Sequence, residues 1–138
     1  MPAQDKFHDA VKKALKKDGW HITHEHFKLE FGGVRMFVDL AAEQVLAAER
    51  NDQKIAVEVK SFIQPSTLTA FNEALGQYLG YSIALRNLEP ERVLYLAVPA
   101  GTHQAFFHLE YAQAVVREIH LRVIVYDEFE EVITKWIN

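Results

Sequence analysis

Residues 55–60 read Ile55-Ala56-Val57-Glu58-Val59-Lys60, an apolar, β-branched run that closes on an acid and a base. The run lies inside Lys54 to Phe62, and Pro65-Ser66-Thr67 stops it, which is the pattern of a buried strand followed by a helix start. Alternate side chains of a strand share a face, so Glu58 and Lys60 point one way while Val57 and Val59 point the other. Upstream, Val34-Arg35-Met36-Phe37-Val38-Asp39 is a second apolar run that ends on an acid. Charge at the ends of buried strands is expensive to keep. A divalent cation is the usual agent that offsets repulsion and desolvation in such a cluster.

Working outward, residues 4–17 place Phe7, Ala10, Val11, Ala14 and Leu15 on one helical face, with Lys12, Lys13, Lys16 and Lys17 mostly off it. Gly19 is the expected stop. Trp20 to Thr23 and Phe27 to Phe31 alternate like strands, with a kink at His24-Glu25-His26, and Gly32-Gly33 forms a hairpin turn into residues 34–39. Residues 41–50 have helix propensity, yet Arg50-Asn51-Asp52-Gln53 reads as a hairpin loop, so a strand over 45–50 is the favoured reading. Ser66 or Thr67 caps a long helix over 67–87 whose apolar stripe is Phe71, Ala74, Leu75, Tyr78, Leu79 and Leu85. Residues 92–99 form a second buried strand, 101–119 a helix and 121–126 a third apolar strand. Residues 130–138 are an edge strand or a short helix.

The order α-β-β-β-α-β-α-β predicts a single α/β domain over residues 1–138, with a meander followed by crossovers to parallel pairing. At 138 residues the chain is long enough to bury a core. It has no apolar run near the ~18–20 residues that span a membrane. The N-terminus lacks a signal-peptide pattern, and cysteine is absent, so disulfides and thiolate sites are excluded and a cytoplasmic location is expected. A formal net charge of −4 argues against indiscriminate coating of polyanions but leaves local DNA contacts open.

The charged strand ends suit metal-assisted phosphodiester hydrolysis. Asp39 and Glu58 would hold a hard cation, Mg2+ or Mn2+, through oxygen, with the Val59 carbonyl as a further ligand. Lys60 would position or deprotonate the water and neutralise the transition state. Taken alone, Glu-x-Lys on a strand is most often a solvent-face charge pair. The following helix adds Glu73, Gln77 and Tyr81 at four-residue spacing along one edge. From there Gln77 and Tyr81 would reach the mouth of the site, where Gln77 binds a phosphate or steadies Lys60. The plain alternative leaves both as solvated boundary residues. Glu49 and Glu43 are secondary carboxylate candidates, and Lys12, Lys13, Lys16 and Lys17 form the best DNA-facing patch.

Asp39, Glu58-Val59-Lys60 and Gln77-x-x-x-Tyr81 together resemble the PD-(D/E)xK nuclease superfamily. The chain is more closely similar to the XisH family, the fdxN element excision controlling factors of cyanobacteria. The segments that carry this likeness include Phe7-His8-Asp9-Ala10-Val11, Lys17-Asp18-Gly19-Trp20, Val38-Asp39-Leu40-Ala41-Ala42-Glu43, Ala47-Ala48-Glu49-Arg50, Val57-Glu58-Val59-Lys60-Ser61-Phe62 and Ala74-Leu75-Gly76-Gln77-Tyr78. The resemblance implies a restriction-endonuclease-like core, a central mixed sheet flanked by helices. It also implies programmed excision of a DNA element alongside a site-specific recombinase and a small accessory excision protein. The superfamily's proline before the first acid is Val38 here, and His24-Glu25-His26-Phe27 departs from the acidic turn expected of relatives.

Two functional readings follow. One is a magnesium-dependent DNA endonuclease, for which a homodimer is plausible because cutting a duplex often takes two sites. The other is a non-catalytic accessory module of the same fold that binds DNA or a protein partner and directs a separate recombinase. His21, His24 and His26 read as solvated histidines rather than a zinc site, since His21 falls on the other face and no further ligand follows. No phosphate-cradling glycine loop or serine–histidine pair is present.

Overall fold

The computed structural model describes residues 7–44 and 53–138. The expected strand over 45–50, with Glu49, and the first residues of the expected N-terminal helix lie outside the described residues. Helix α1 (His8–Lys17) buries Val11, Ala14 and Leu15. It ends as the glycine predicts. Gly19 adopts φ 90°, Trp20 N–H donates to Leu15 O at 3.0 Å and Gly19 N–H donates to Lys16 O at 3.1 Å, which satisfies the last carbonyls in a Schellman arrangement. Strand β1 (His21–His24) follows, then the bend at Glu25-His26. Strands β2 (Phe27–Phe31) and β3 (Val34–Val38) pair antiparallel as a separate hairpin. Its turn places Gly32 and Gly33 at φ 60° and 84°, the left-handed pair that a two-residue hairpin requires.

Strand β4 (Leu40–Gln44) was not expected, because Ala-Ala-Glu-Gln favours a helix. Pairing on both sides overrides that propensity. It lies antiparallel to β1 on one side and to β5 (Gln53–Val59) on the other. Helix α2 (Thr67–Leu88) begins as predicted, with the Ser66 side chain accepting the Thr69 N–H at 3.1 Å. It crosses to β6 (Arg92–Pro99), parallel to β5.

The single helix expected over 101–119 is two, α3 (Ala100–Ala105) and α4 (Glu110–Ile119). Phe107, only 1% exposed, is the reason for the break. Its ring packs edge-on to Phe71 at 5.3 Å and to Phe62 at 6.2 Å, and the Gln113 amide donates to its carbonyl. Strand β7 (Val123–Asp127) is parallel to β6, and β8 (Val132–Ile137) pairs antiparallel to β7, so the C-terminus is an edge strand.

The result is a six-stranded mixed sheet in the order β1-β4-β5-β6-β7-β8, with helices on both faces. Register irregularities interrupt the β1–β4 pairing between Ile22 and His24 and the β7–β8 pairing between Val125 and Tyr126. Strands β4 to β7 feed two cores by alternation. Ile55, Val57 and Val59 pack with α1, Trp20 and Tyr95, while Ala56 joins Leu94, Leu96 and Val98 against α2. The β2–β3 hairpin lies over the α2 side, contributing Phe27, Leu29 and Val38 to that core. No described helix is long and apolar enough to cross a membrane.

Candidate functional site

The alternation of β5 fixes the direction of its charges. Val57 and Val59 belong to the core under α1, so Glu58 faces α2, where it is buried to 7% exposure. Asp39 sits at the bend where the chain leaves the hairpin strand β3 and enters β4. From there its Oδ2 accepts the Val59 N–H at 3.1 Å. The first acid is thus fastened to the residue next to the second. The N–H and C=O of one strand residue leave the chain toward the same neighbour, so the Val59 carbonyl belongs to the Asp39 edge of β5.

Strand β5 stops for an identifiable reason. Lys60 N–H still donates to Ala97 O at 3.2 Å, but the next donor on β6 would be Pro99, which has no N–H. The Lys60 carbonyl instead accepts the Tyr126 hydroxyl at 3.3 Å. Phe62 then turns the chain off the sheet at φ 57°, a left-handed conformation that a bulky residue adopts only when its surroundings enforce it. Burial of the Phe62 ring against Phe107 supplies that constraint.

Helix α2 supplies the remaining wall. Tyr81 is buried, and its hydroxyl is held well above the usual phenol range by burial first and then by the charges of Glu58 and Asp39. Its phenol therefore lies in the field of both carboxylates. Lys60 Nζ lies 3.6 Å from Glu73 Oε2, and Gln64 Nε2 donates to the same oxygen at 3.2 Å. Asp39, Glu58, Lys60, Tyr81 and Glu73 are gathered at one end of the sheet beneath α2.

Gln77 is exposed, and Glu73, one turn earlier, is the residue that holds the lysine. Tyr81 is buried where Leu79, expected in the stripe, is 44% exposed, because the hairpin and β5 cover the Tyr81 flank of the helix. Gln64 carried no sequence signal; it enters only because the left-handed turn at Phe62 folds the loop back toward α2. Lys12 donates to Glu25 Oε1 at 2.9 Å, Lys13 lies 3.5 Å from Glu131, and Lys17 donates to the Glu130 carbonyl at 2.9 Å. Three of the four α1 lysines thus have acidic or carbonyl neighbours.

The donor set suits a hard cation. Two carboxylates and a backbone carbonyl offer oxygen only, and among the described residues no three His, Asp or Glu side chains gather as a protein-only cage. Mg2+ is held in this way, by one or two carboxylates with water and substrate phosphate oxygens completing the shell.

Comparison with known proteins places this architecture. The sequence matches the XisH protein family over residues 1–134. The crystal structure of an XisH family protein from Nostoc punctiforme PCC 73102 shares 46% identity with a TM-score of 0.88, covering 97% of this chain and 100% of that one. That of an fdxN element excision controlling factor protein from Anabaena variabilis shares 48% identity with a TM-score of 0.86, covering 96% of this chain and 98% of that one. No curated protein matches the sequence.

Proposed function

This chain belongs to the XisH family, and we propose that it controls site-specific excision of an fdxN-type DNA element as a magnesium-dependent phosphodiesterase with a restriction-endonuclease-like core of the PD-(D/E)xK type. The observation that carries the reading is the fastening of Asp39 to Val59 beside a buried Glu58, with Lys60 following on the same strand end. A buried carboxylate near a second one is costly unless a cation or a proton offsets it.

In this reading Asp39, Glu58 and the Val59 carbonyl are the ligands. A divalent cation bound there supplies charge against the phosphate and lowers the pKa of a water. The Lys60 ammonium is the mobile donor, held by Glu73 at rest and free to turn toward a phosphate oxygen or the attacking water. Tyr81 keeps its proton and serves as a neutral hydrogen-bond donor at the wall of the site. DNA is the substrate, the recombinase and small accessory protein of the excision reaction are the partners, and a homodimer would present two sites to a duplex.

A second reading keeps the fold and the role but drops the chemistry, leaving an accessory module that directs a separate recombinase. The surroundings of α1 favour it, since Glu25 lies 2.9 Å from Lys12 and Glu131 lies 3.5 Å from Lys13, which lowers the positive charge that face offers to DNA. The separating experiment is incubation of supercoiled and linear DNA with the protein and Mg2+ or Mn2+. Cleavage that requires the cation and disappears in Glu58→Gln and Lys60→Ala supports the phosphodiesterase. Tight binding of the recombinase or accessory protein, with no cleavage under either cation, leaves the accessory module.

A further inference from the structure

On the flank of α2 opposite Tyr81 lies a cleft of about 600 Å³, bounded by the C-terminal half of α2, the start of β6 and the segment after α4. Its rim carries Arg86, His120 and Arg122, with Ser82 beside them; its floor is Leu85 and Leu94, and Leu79 and Ile119 form apolar sides. Among the described lining residues none is acidic, in a chain whose formal net charge is −4. The cationic groups therefore converge against the sign of the whole molecule.

The local backbone explains how they come together. Helix α4 ends at His120 in the left-handed conformation, φ 54°, with Leu121 N–H donating to Val116 O at 3.0 Å. That turn sends Leu121 into the core and leaves Arg122 exposed at the cleft. Arg92 also lines the cleft but is committed. It donates to Ile55 O at 3.0 Å and to Glu89 at 3.2 Å, and it lies over the Phe27 ring at 4.7 Å. Arg86 and Arg122 are exposed, and neither guanidinium is ion-paired within the described residues.

We propose that this cleft docks an acidic segment of a protein partner, one that seats an apolar side chain on the floor and places carboxylates against Arg86 and Arg122. Guanidinium forks match carboxylates in two-point geometry. Arginine is among the residues that most often carry the binding energy of an interface. The apolar lining continues outward through Leu79 to Ile83, which is 49% exposed on the outer face of α2. Such a surface suits a side chain and gives little to a sugar–phosphate backbone. The site is separate from the carboxylates, since Tyr81 and Leu79 face different flanks of the helix, so it stands whether or not the chain cuts DNA.

The test uses the full chain and a fluorescein-labelled synthetic peptide in which leucines alternate with glutamates, followed by fluorescence anisotropy. A counterpart with lysine in place of each glutamate is the control, and an unlabelled DNA duplex is the competitor. Arg86→Glu and Arg122→Glu alter exposed side chains, and circular dichroism checks that the fold is kept. The expected result is saturable binding of the acidic peptide, weakened by salt and by about tenfold or more in each variant, with no binding of the basic peptide. Absence of binding at millimolar peptide overturns the proposal, as does equal affinity in the variants. Displacement by the duplex, with loss of duplex binding in the same variants, overturns it in favour of nucleic acid.

Discussion

Asp39 and Val59 are joined across the sheet, with the Asp39 carboxylate accepting the Val59 N–H at 3.1 Å, twenty residues apart in the chain. The bond fixes where the hairpin exit meets the end of β5, so Asp39 has a structural duty besides any ligand role. The two separate by substitution. Asp39→Ala removes charge and acceptor together and is expected to cost about 1–3 kcal/mol, the range for a hydrogen bond to a charged group or a donor left unmade. Asp39→Asn keeps an acceptor oxygen and is expected to lose distinctly less. Both variants should lose Mg2+ or Mn2+ binding in titration calorimetry. Full retention of metal affinity in Asp39→Asn would remove Asp39 from the ligand set.

Lys60 and Glu73 give a second contrast. Glu73 is half-exposed, so its pair with the lysine is weak and screened by water. Glu73→Gln should leave the fold intact and change the cleavage rate less than about tenfold, whereas Lys60→Ala should lower it by about 10²–10³, as loss of a transition-state donor does. Single-turnover rates at saturating metal measure both. Equal losses in the two variants would show that the ion pair, rather than the free ammonium, is what matters.

Tyr81 predicts an alkaline dependence of stability. Burial and the Glu58 and Asp39 charges raise its proton affinity in the folded state above the unfolded value of 10.0. The folded chain therefore holds more protons than the unfolded chain above that pH, and stability declines as pH rises through about 10. Tyr95, also raised by burial, acts in the same sense. Urea unfolding at stepped alkaline pH should show a shallower decline in Tyr81→Phe than in the native protein. Identical slopes would mean that neither burial nor the carboxylate charges raise the proton affinity of Tyr81 in the folded chain.

Phe107 tests the break between α3 and α4. Its ring is almost wholly buried against Phe71 and Phe62. Phe107→Ala should cost about 3–5 kcal/mol in urea unfolding, the range for emptying a buried aromatic site. A cost below about 1 kcal/mol would place the cause of the break elsewhere.

What could be read in advance was whatever depends on near neighbours in sequence. The β5 alternation, the Ser66 cap, the Gly19 stop and the Gly32-Gly33 turn each follow from residues within a few positions, and each is found. The extra strand β4 was hidden because Ala41 to Gln44 favours a helix, and only its two neighbours in the sheet reverse that preference. The kink at Phe107 was hidden for a related reason, since its partner Phe71 lies in another helix. At the site, the residues on β5 and the hairpin exit could be named. The choice of Glu73 over Gln77 could not, because it turns on where the chain goes after Phe62.

The two outer strands of the sheet have a consequence for how this molecule meets others. An unpaired strand edge is a template on which another chain can add its own strand. Here β1 is four residues long with a register slip against β4, and β8 meets β7 across a slip of its own and carries the exposed Lys135. Among the described residues, neither of these two edges offers the long, flat row of donors and acceptors that strand addition or edge-to-edge aggregation needs. At these two edges recognition therefore falls to side chains rather than to backbone pairing.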